Sequence, residues 1–449
     1  MNINDRTYIK DLGSKVGQKV SVSAWLDVRR DHGKLIFLVL RDGTGTVQAV
    51  ANAKDTGVFE VAPDLRPEWC VRIEGEVKER PEKMKKDEPN GNIELGIENI
   101  TVLSKAAELP FDKDADLNLD TYFDHLPFTL RRARARDIFH VQATILQTFR
   151  DSLVSWGFTE FQAPVLVGGD AEGGAAAFKI DDYYGKSAFL ATSGQLYKQI
   201  MVGPFERAMT IAKTFRGEKS ATTRHLAEIT QMEFEMGFIN NHRDVMSVLE
   251  DTVRAIVGRV AERHSAELKR FAVDLPLLPA VPFPVFTLTD AQKIIEKEFG
   301  GTAMGELDLE PEHERQICEW AKKEHGSDFV FITHFPTKKR AFYTYADPSN
   351  PEFSNSFDLL FRGLEINSGG QRIHNYDELV AKMKERGMDP EKFAFYLQAF
   401  KYGLPPHGGS STGLERITAR MLNLPNVKEA SAFPRDMTRI DVRLAQDGE

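Results

Sequence analysis

The chain has 449 residues, of which 41% are hydrophobic, and this length allows two or three domains with sizeable cores. The formal net charge of -9 argues against a protein that coats nucleic acid with its whole surface, although local basic patches remain compatible with it. Cys70 and Cys318 are the only cysteines, so neither a disulfide framework nor a CxxC metal site is indicated. The sequence has no apolar signal segment and no run long enough to span a membrane, which predicts a cytoplasmic protein.

Short strands are predicted for the N-terminal part of the chain, residues 1–104. Val20, Val22, Ala24 and Leu26 alternate with polar residues, as expected for a half-buried strand. Further strand candidates cover residues 35–40, 46–51, 71–77 and 93–102. Short strands in this number suit a small closed barrel of the OB type, with an SH3-like barrel or a sandwich as alternatives.

The rest of the chain is predicted to mix helices and strands, giving an α+β protein. Residues 105–130 carry several aspartates and prolines and are predicted to be a polar hinge without packed elements. Within residues 131–449, apolar residues at helical spacing predict helices over 137–156 and 243–263. Strands are predicted around 158–167, interrupted at Pro164, and within 355–373, with a turn near Arg362 and Gly363. We therefore expect a second domain with long antiparallel strands and helices.

A charged segment between two strand-like runs is the first candidate for chemistry. Arg216 and Glu218 follow one run, and Arg224, His225 and Leu226 precede the next. The fork of an arginine binds two phosphate oxygens at once, and a glutamate accepts from the amino group of adenine. The segment therefore suits ATP, whereas a hairpin with a solvated charged loop is the alternative.

Three further groups of residues carry weaker signals. Asp358 and Glu365 on paired strands suit Mg²⁺, although they also suit two ordinary surface acids. Glycines before a helix-like stretch, in residues 408–416, would let the backbone approach a phosphate, and Arg416 could stack on adenine. Gln195 to Gln199 offer donors for a small polar substrate, although on their own they are better explained as a helix with a solvated Lys198.

The order of these groups along the chain resembles one enzyme family. Phe-Arg-x-Glu at 215–218, Arg224-His225 and Gly-x-x-x-Gly-x-x-Arg at 409–416 resemble motifs 2 and 3 of class II aminoacyl-tRNA synthetases. The predicted helix from Asp137, followed by Gly157-Phe158 and Pro164, resembles motif 1. The segments 171–175, 195–199, 368–372, 402–409 and 433–436 resemble the aspartyl-tRNA synthetases of the short archaeal and eukaryotic type. That type lacks the insertion domain of the longer bacterial form, for which residues 239–356 leave no room.

The resemblance implies an activity and a set of site residues. Members of the family use ATP and Mg²⁺ to form aspartyl-adenylate, and then transfer the aspartyl group to the 3′ end of tRNA(Asp). It implies that aspartate is held by Glu172, Gln195, Lys198, Arg216, Ser368 and Arg372. It implies that ATP is bound by Arg216, Glu218, Arg224, His225, Leu226, Glu365, Gly413, Leu414, Glu415 and Arg416. Mg²⁺ would be held by Glu365, Ser368 and Asp358, while Arg216, Lys198 and Arg372 would carry the catalytic roles. Relatives often place an aromatic residue against adenine where this chain has Ile229.

Lys198 and Arg372 are the residues from which we predict the amino acid. In the resemblance both face the substrate side chain, and two cations in a small pocket suit a carboxylate. An asparagine amide would leave buried positive charge unpaired, which is costly. An asparagine enzyme is expected to place an acid near Lys198, but its neighbours along the chain are Tyr197 and Gln199. The sequence therefore favours aspartate.

The resemblance also implies partners. Arg29, Phe37 and Gln48 match anticodon-reading positions of the barrel, although Phe37 also suits core packing. Asp27 and Lys85 lie in segments that distinguish tRNA(Asp) from tRNA(Asn), and charging of tRNA(Asn) is left open. Motif 1 implies a homodimer. The alternatives are an asparaginyl enzyme, a tRNA-independent paralogue that uses the adenylate to make an amide, and a non-enzymatic RNA-binding module built on the barrel.

Overall fold

The computed structural model describes residues 6–169, 177–217 and 222–444. The chain divides into two compact units, Met1–Asp116 and Leu117–Glu449. In the described part of the chain, no helix combines the length and the apolar character needed to cross a lipid bilayer.

The first unit is a closed five-stranded barrel. Its strands are β1 (Lys19–Asp31), β2 (Leu35–Asp42), β3 (Gly45–Asn52), β4 (Cys70–Glu79) and β5 (Ile93–Ser104), and they close in the order β1-β2-β3-β5-β4. A short helix, α1 (Thr56–Val61), joins β3 to β4. Alternate residues such as Val22, Leu38 and Ala49 are fully buried in the barrel core, because successive side chains of a strand point to opposite faces. The barrel prediction is confirmed.

The second unit alternates helices with strands. Its helices are α2 (Leu119–Asp124), α3 (Leu126–Thr129), α4 (Ala133–Ser155), α5 (Gln195–Phe205), α6 (His242–Arg263), α7 (Ser265–Arg270), α8 (Leu288–Phe299), α9 (Pro311–His325), α10 (Tyr376–Glu385), α11 (Ala394–Lys401) and α12 (Leu414–Met421). Its strands are β6 (Thr159–Glu160), β7 (Leu166–Val167), β8 (Lys179–Tyr183), β9 (Lys186–Leu190), β10 (Arg207–Phe215), β11 (Glu228–Gly237), β12 (Val285–Thr287), β13 (Phe329–Thr333), β14 (Ala346–Asp347), β15 (Asn350–Ser354), β16 (Ser356–Phe361), β17 (Leu364–Gln371) and β18 (His407–Gly413). Short 3₁₀ turns occur at Ile9–Lys15, Ala62–Asp64, Glu82–Met84, Pro390–Phe393 and Val427–Ala430.

An eight-stranded sheet is the framework of this unit. Its order is β12-β13-β16-β17-β18-β11-β10-β6, and its pairs are antiparallel except for the parallel pairs β12–β13 and β10–β6 at the two ends. Helices α4 and α6 contribute Val141, Ile145 and Leu249 to a core that Phe234 and Phe357 line from the sheet. The opposite face of the central strands carries polar side chains. The α+β prediction, with a mainly antiparallel sheet flanked by helices, is confirmed.

Two local predictions were wrong. The hinge is not free of packed elements, because α2 and α3 lie within it and bury Phe123 and Leu126. Gly408, Gly409 and Gly413 do not form a loop either, since they lie inside β18. A Cβ on Gly409 would stand 2.1 Å from the Phe234 carbonyl oxygen and 2.1 Å from a carboxylate oxygen of Glu235. Glycine is therefore required there by the close packing of β18 on β11.

Candidate active site

A cavity of about 270 Å³ opens on the polar face of the sheet. It is lined by predicted site residues from α5, β17, β18, α12 and the β10–β11 connection: Gln195, Arg216, Arg224, His225, Leu226, Glu365, Ser368, Arg372, Gly413, Glu415 and Arg416. Lys198, Asp358 and Leu414 are buried residues that do not line the cavity. Glu172 and Glu218 lie outside the described residues. The structure thus brings together residues that are widely separated in sequence.

Arg216 stands at the end of β10, where the hairpin opens into the cavity. Its backbone N–H donates to the Ala227 carbonyl at 2.9 Å, which fixes the residue at the rim of the hairpin. Its Nε is buried and has no hydrogen-bond partner among the described residues. A buried guanidinium N–H without an acceptor is costly, so this position favours an anionic ligand.

Glu314 of α9 holds the second arginine of the hairpin. Its Oε2 forms a short ion pair with Nη2 of Arg224 and also accepts the backbone N–H of Glu365 at 2.9 Å. Burial raises the pKa of Glu314 to about 7, with Glu365 adding to the rise and Arg224 opposing it. Glu314 therefore ties the hairpin connection to the start of β17, a role that the sequence did not indicate.

Two acids lie on the hairpin β16–β17, where Asp358 is opposite Ser368 and Glu365 is opposite Leu360. Asp358 accepts Nη2 of Arg340 at 2.7 Å, and Nη1 of Arg340 also donates to the Ser368 hydroxyl at 3.2 Å. Glu365 lies 3.6 Å from Nη1 of Arg416. Burial raises the pKa of Asp358 to about 6, and the nearby charge of Glu365 adds to this despite Arg340. Oδ1 of Asp358 is buried without a partner among the described residues.

Lys198 is fully buried at the inner end of the site, between two acids. Its Nζ lies 3.1 Å from Glu233 Oε2 and 3.6 Å from Glu235 Oε2, and it donates to the Ser410 carbonyl at 3.1 Å. Nε of Arg372 donates to Glu235 Oε1 at 2.9 Å, and burial of Glu235 is outweighed by Arg372 and Lys198, which hold its pKa below the ordinary value. Two cations therefore face two acids, and the pocket is balanced in charge.

The sequence argument for aspartate rested on two cations facing the substrate and on the lack of an acid near Lys198, and the structure shows that the second premise was wrong. Glu233 and Glu235 belong to β11, and only strand packing brings them to α5. A signal for them existed in the sequence. Gln231, Glu233 and Glu235 alternate with Met232 and Phe234 along the strand-like run, which indicates that one face of this strand carries polar contacts.

Glu415 has a structural partner of its own. Its carboxylate accepts the Thr230 N–H at 3.1 and 3.0 Å, and burial raises its pKa. The bond holds β11 next to Ile229, which lines the cavity together with Arg416. Glu415 therefore fixes the position of β11 by this bond.

Comparison with known proteins agrees with this geometry. Residues 118–437 match the family of class II tRNA synthetases (D, K and N), and residues 20–103 match the OB-fold nucleic acid binding domain. The chain belongs to the class II aminoacyl-tRNA synthetases. Enzymes of this class use ATP.

Full-length relatives of this synthetase have closely related names. It is 41% identical to the aspartate–tRNA(Asp/Asn) ligase of Thermus thermophilus, over 97% of this chain and 99% of the relative. It is 38% identical to the aspartate–tRNA(Asp) ligase of Thermococcus kodakarensis, over 94% and 96%. Among solved structures, asparaginyl-tRNA synthetase from Pyrococcus horikoshii, complexed with asparaginyl-adenylate, superposes with a TM-score of 0.89 at 32% identity, over 98% and 99% of the two chains.

The barrel of the synthetase carries the predicted anticodon residues on neighbouring strands. Phe37 and Gln48 are opposite Val50 and Val39, so they share the outer face of β2 and β3. Gln48 donates to Glu94 at 3.2 Å. Arg29 is paired with Leu38, whereas Arg30 is the cross-strand neighbour of Phe37.

The two residues predicted to distinguish between tRNAs both form ion pairs. Asp27 stands at a register shift in β1 and lies 3.5 Å from Arg41 and 3.6 Å from Lys113. Lys85 lies 2.7 Å from Glu82. Asp27 therefore has a fixed position in the barrel wall. Lys85 belongs to an exposed ion pair, which contributes little energy and breaks easily.

Proposed function

We propose that this synthetase activates L-aspartate with ATP and transfers it from aspartyl-adenylate to the 3′ end of tRNA(Asp). The observation that supports this most strongly is full-length similarity, at 41% and 38% identity, to two enzymes named as aspartate–tRNA ligases. The reaction needs no protein nucleophile, because the carboxylate of the amino acid attacks the α-phosphate. Positioning and charge stabilisation then provide the rate, and the arginine-rich cavity suits both.

The proposed roles follow from what each group has to offer. Arg216, with a buried Nε that lacks a partner, would bind the α-phosphate and the substrate carboxylate. Arg224 and His225 would bind the outer phosphates, while Ile229 and Arg416 would lie on the two sides of adenine. Further contacts are proposed for a set that includes the two residues outside the described part of the chain: Glu172, Gln195, Glu218, Leu226, Ser368, Gly413, Leu414 and Glu415.

The acids of β16 and β17 fit a Mg²⁺ ion bound with the nucleotide. Glu365 and Asp358 supply hard oxygen donors, Ser368 is the cross-strand neighbour of Asp358, and Oδ1 of Asp358 is buried without a partner among the described residues. Burial raises the pKa of Asp358 and the charge of Glu365 adds to the rise, so a cation between the two acids would relieve their repulsion. When bound, Mg²⁺ would neutralise charge on the phosphate oxygens. Arg340, which already holds Asp358, would keep that carboxylate oriented.

Asparagine activation is the second candidate, and one observation favours it. Glu233 lies 3.1 Å from Lys198, in the place where a carboxylate could accept from a substrate amide. The fold similarity to the asparaginyl enzyme of Pyrococcus horikoshii agrees with either amino acid. Aspartate remains the proposal because the full-length relatives above are both aspartate enzymes, and because Lys198 and Arg372 still provide two donors for a carboxylate.

The tRNA partners are proposed on the same basis. We expect tRNA(Asp) to bind through Phe37, Gln48 and Arg29 of the barrel, with tRNA(Asn) as a second candidate because the Thermus relative is named for both. The decisive experiment is aminoacylation of purified tRNA(Asp) and tRNA(Asn), side by side, with labelled aspartate. Charging of tRNA(Asp) supports the proposal, charging of both shows relaxed specificity, and charging of neither refutes it.

A homodimer in the cytoplasm is also part of the proposal. Helix α4 corresponds to motif 1, which implies self-association, and it ends near the exposed apolar side chains of Val154 and Trp156. Size-exclusion chromatography with light scattering at micromolar protein tests this. A mass near twice 50.6 kDa is expected, and a monomer would contradict it.

A further inference from the structure

A cluster of metal-ligating side chains lies outside the ATP cavity, where α4 packs beside the junction of α6 and α7. Ligand atoms of Asp137, His140 and Glu267 all lie within 4.8 Å of one another. Asp137 and His140 are three residues apart on α4, and Glu267 follows His264 at the same spacing across the junction. Side chains three apart share one helix face, and pairs of this kind on facing helices build the metal sites of helical bundles.

His264 is the independent sign of a ligand at this cluster. It is only 8% exposed, and its Nδ1 has no hydrogen-bond partner among the described residues. This nitrogen lies 3.6 Å from Oε1 of Glu267, so it faces one of the three residues of the cluster. The other nitrogen, Nε2, lies 2.7 Å from the Thr144 hydroxyl. If Nε2–H donates to Thr144, the lone pair of Nδ1 points at the acids, as in metal-bound histidines oriented by an outer partner.

The charge of the cluster also calls for a further cation. Asp137 and Glu267 contribute two negative charges, and Arg270 supplies one positive charge. Nε and Nη2 of Arg270 bind the two oxygens of Asp137 at 2.7 and 2.9 Å, and Nη2 is 3.8 Å from Glu267. The Arg270 side chain is 53% exposed, so it can turn into solvent. A divalent ion in its place would balance both acids.

We infer that this cluster binds a divalent transition-metal ion of the zinc type. Asp137, His140 and Glu267 would be its ligands. His264, held by Thr144, would close on the ion as a fourth ligand from its position beside Glu267, and Arg270 would be the competing cation. Mixed imidazole and carboxylate donors select Zn²⁺ over Mg²⁺ or Ca²⁺, which prefer oxygen alone. The ion would join the start of α4 to α7, and none of these ligands lines the cavity. The inference does not depend on the proposed substrate.

Zinc binding can be measured on the full chain by equilibrium dialysis against ZnCl₂, with Mg²⁺ and ATP in excess, followed by elemental analysis. One Zn²⁺ per chain is expected, and Co²⁺ should show the visible absorption of a tetrahedral site. His140→Ala, at an exposed ligand with little risk to folding, should weaken binding at least about tenfold. His325→Ala removes an exposed histidine of α9 and serves as the matched control, which should bind like the parent.

Arg270→Ala provides the sharper test. If Arg270 competes for Asp137, its removal should tighten zinc binding while ligand variants weaken it. A structural ion-pair cluster would show the opposite pattern: no stoichiometric Zn²⁺ in the parent, and no gain in Arg270→Ala. Binding that persists unchanged in His140→Ala and in His264→Gln would also overturn the inference, because the ion would then lie elsewhere.

Discussion

Replacing Lys198 by methionine removes one ammonium group and keeps most of the apolar stem. The group lies between Glu233 at 3.1 Å and Glu235 at 3.6 Å, and each of these side chains is at most 1% exposed. Glu235 keeps Arg372 at 2.9 Å, so Glu233 is the acid that loses its counter-ion. Removing one partner of a buried ion pair costs about 3–5 kcal/mol of folding free energy. The same loss of a donor to the substrate carboxylate should lower aspartate-dependent kcat/KM by about 10²–10⁴.

A second substitution separates the structural role of Lys198 from its role in binding. Lys198→Met combined with Glu233→Gln removes the uncompensated carboxylate, so the urea midpoint should return most of the way to that of the parent. Aspartate-dependent ATP–pyrophosphate exchange should stay low, because the donor is still absent. Glu233→Gln alone is the matched control for the amide. If the double variant regains both stability and exchange with aspartate, Lys198 is only a structural counter-ion and the pocket proposal is wrong.

Three further perturbations test other parts of the site. Arg216→Gln should lower the exchange kcat by about 10²–10³ and leave the thermal midpoint near that of the parent, because Nε has no partner to lose; a large drop in the midpoint would contradict this. Phe37→Ala should raise the KM for tRNA by about 10–100-fold, from roughly 1–3 kcal/mol of lost base stacking, without changing exchange, so equal kinetics in aminoacylation would exclude a stacking role. Burial, with His334 and Arg243 nearby, lowers the pKa of His242 from its ordinary value of 6.5 to about 4. As the pH falls from 6.5 to 4, His242 is therefore protonated in the unfolded chain before it is protonated in the folded protein. Stability should decline by roughly 3 kcal/mol across this window, and His242→Gln should show a smaller decline in urea titrations at each pH; parallel curves would refute this role.

Those parts of the molecule that depend on local pattern could be predicted from the sequence. The barrel follows from alternation, because Val22, Leu38 and Ala49 point inward at a period of two. The turn at Arg362 and Gly363 was predicted from the glycine between two strand-like runs. Both residues have positive φ, 46° and 76°, at the point where β16 reverses into β17. The order of short motifs also predicted which segments of the chain come together, since Arg216, Glu365 and Arg416 line one cavity.

The electrostatic balance of the pocket could not be predicted, because it depends on partners that are remote in sequence. Lys198 and the Ser410 carbonyl are 212 positions apart, and Glu233 reaches Lys198 only through the packing of α5 on β11. Glu314 lies 90 positions from Arg224 and belongs to no recognised motif. The residues next to Lys198 in the sequence are uncharged, whereas the folded protein places two carboxylates beside it. The register of strands therefore decides the pocket.

Amino-acid-dependent ATP–pyrophosphate exchange tests the central claim most directly. The purified protein is supplied with ATP, Mg²⁺, labelled pyrophosphate and either L-aspartate or L-asparagine. Exchange that depends on aspartate, with asparagine weaker by at least about 10², is the expected result. Exchange with asparagine alone would instead support asparagine activation, with Glu233 accepting a hydrogen bond from the substrate amide. No exchange with either amino acid would contradict adenylate formation in this cavity.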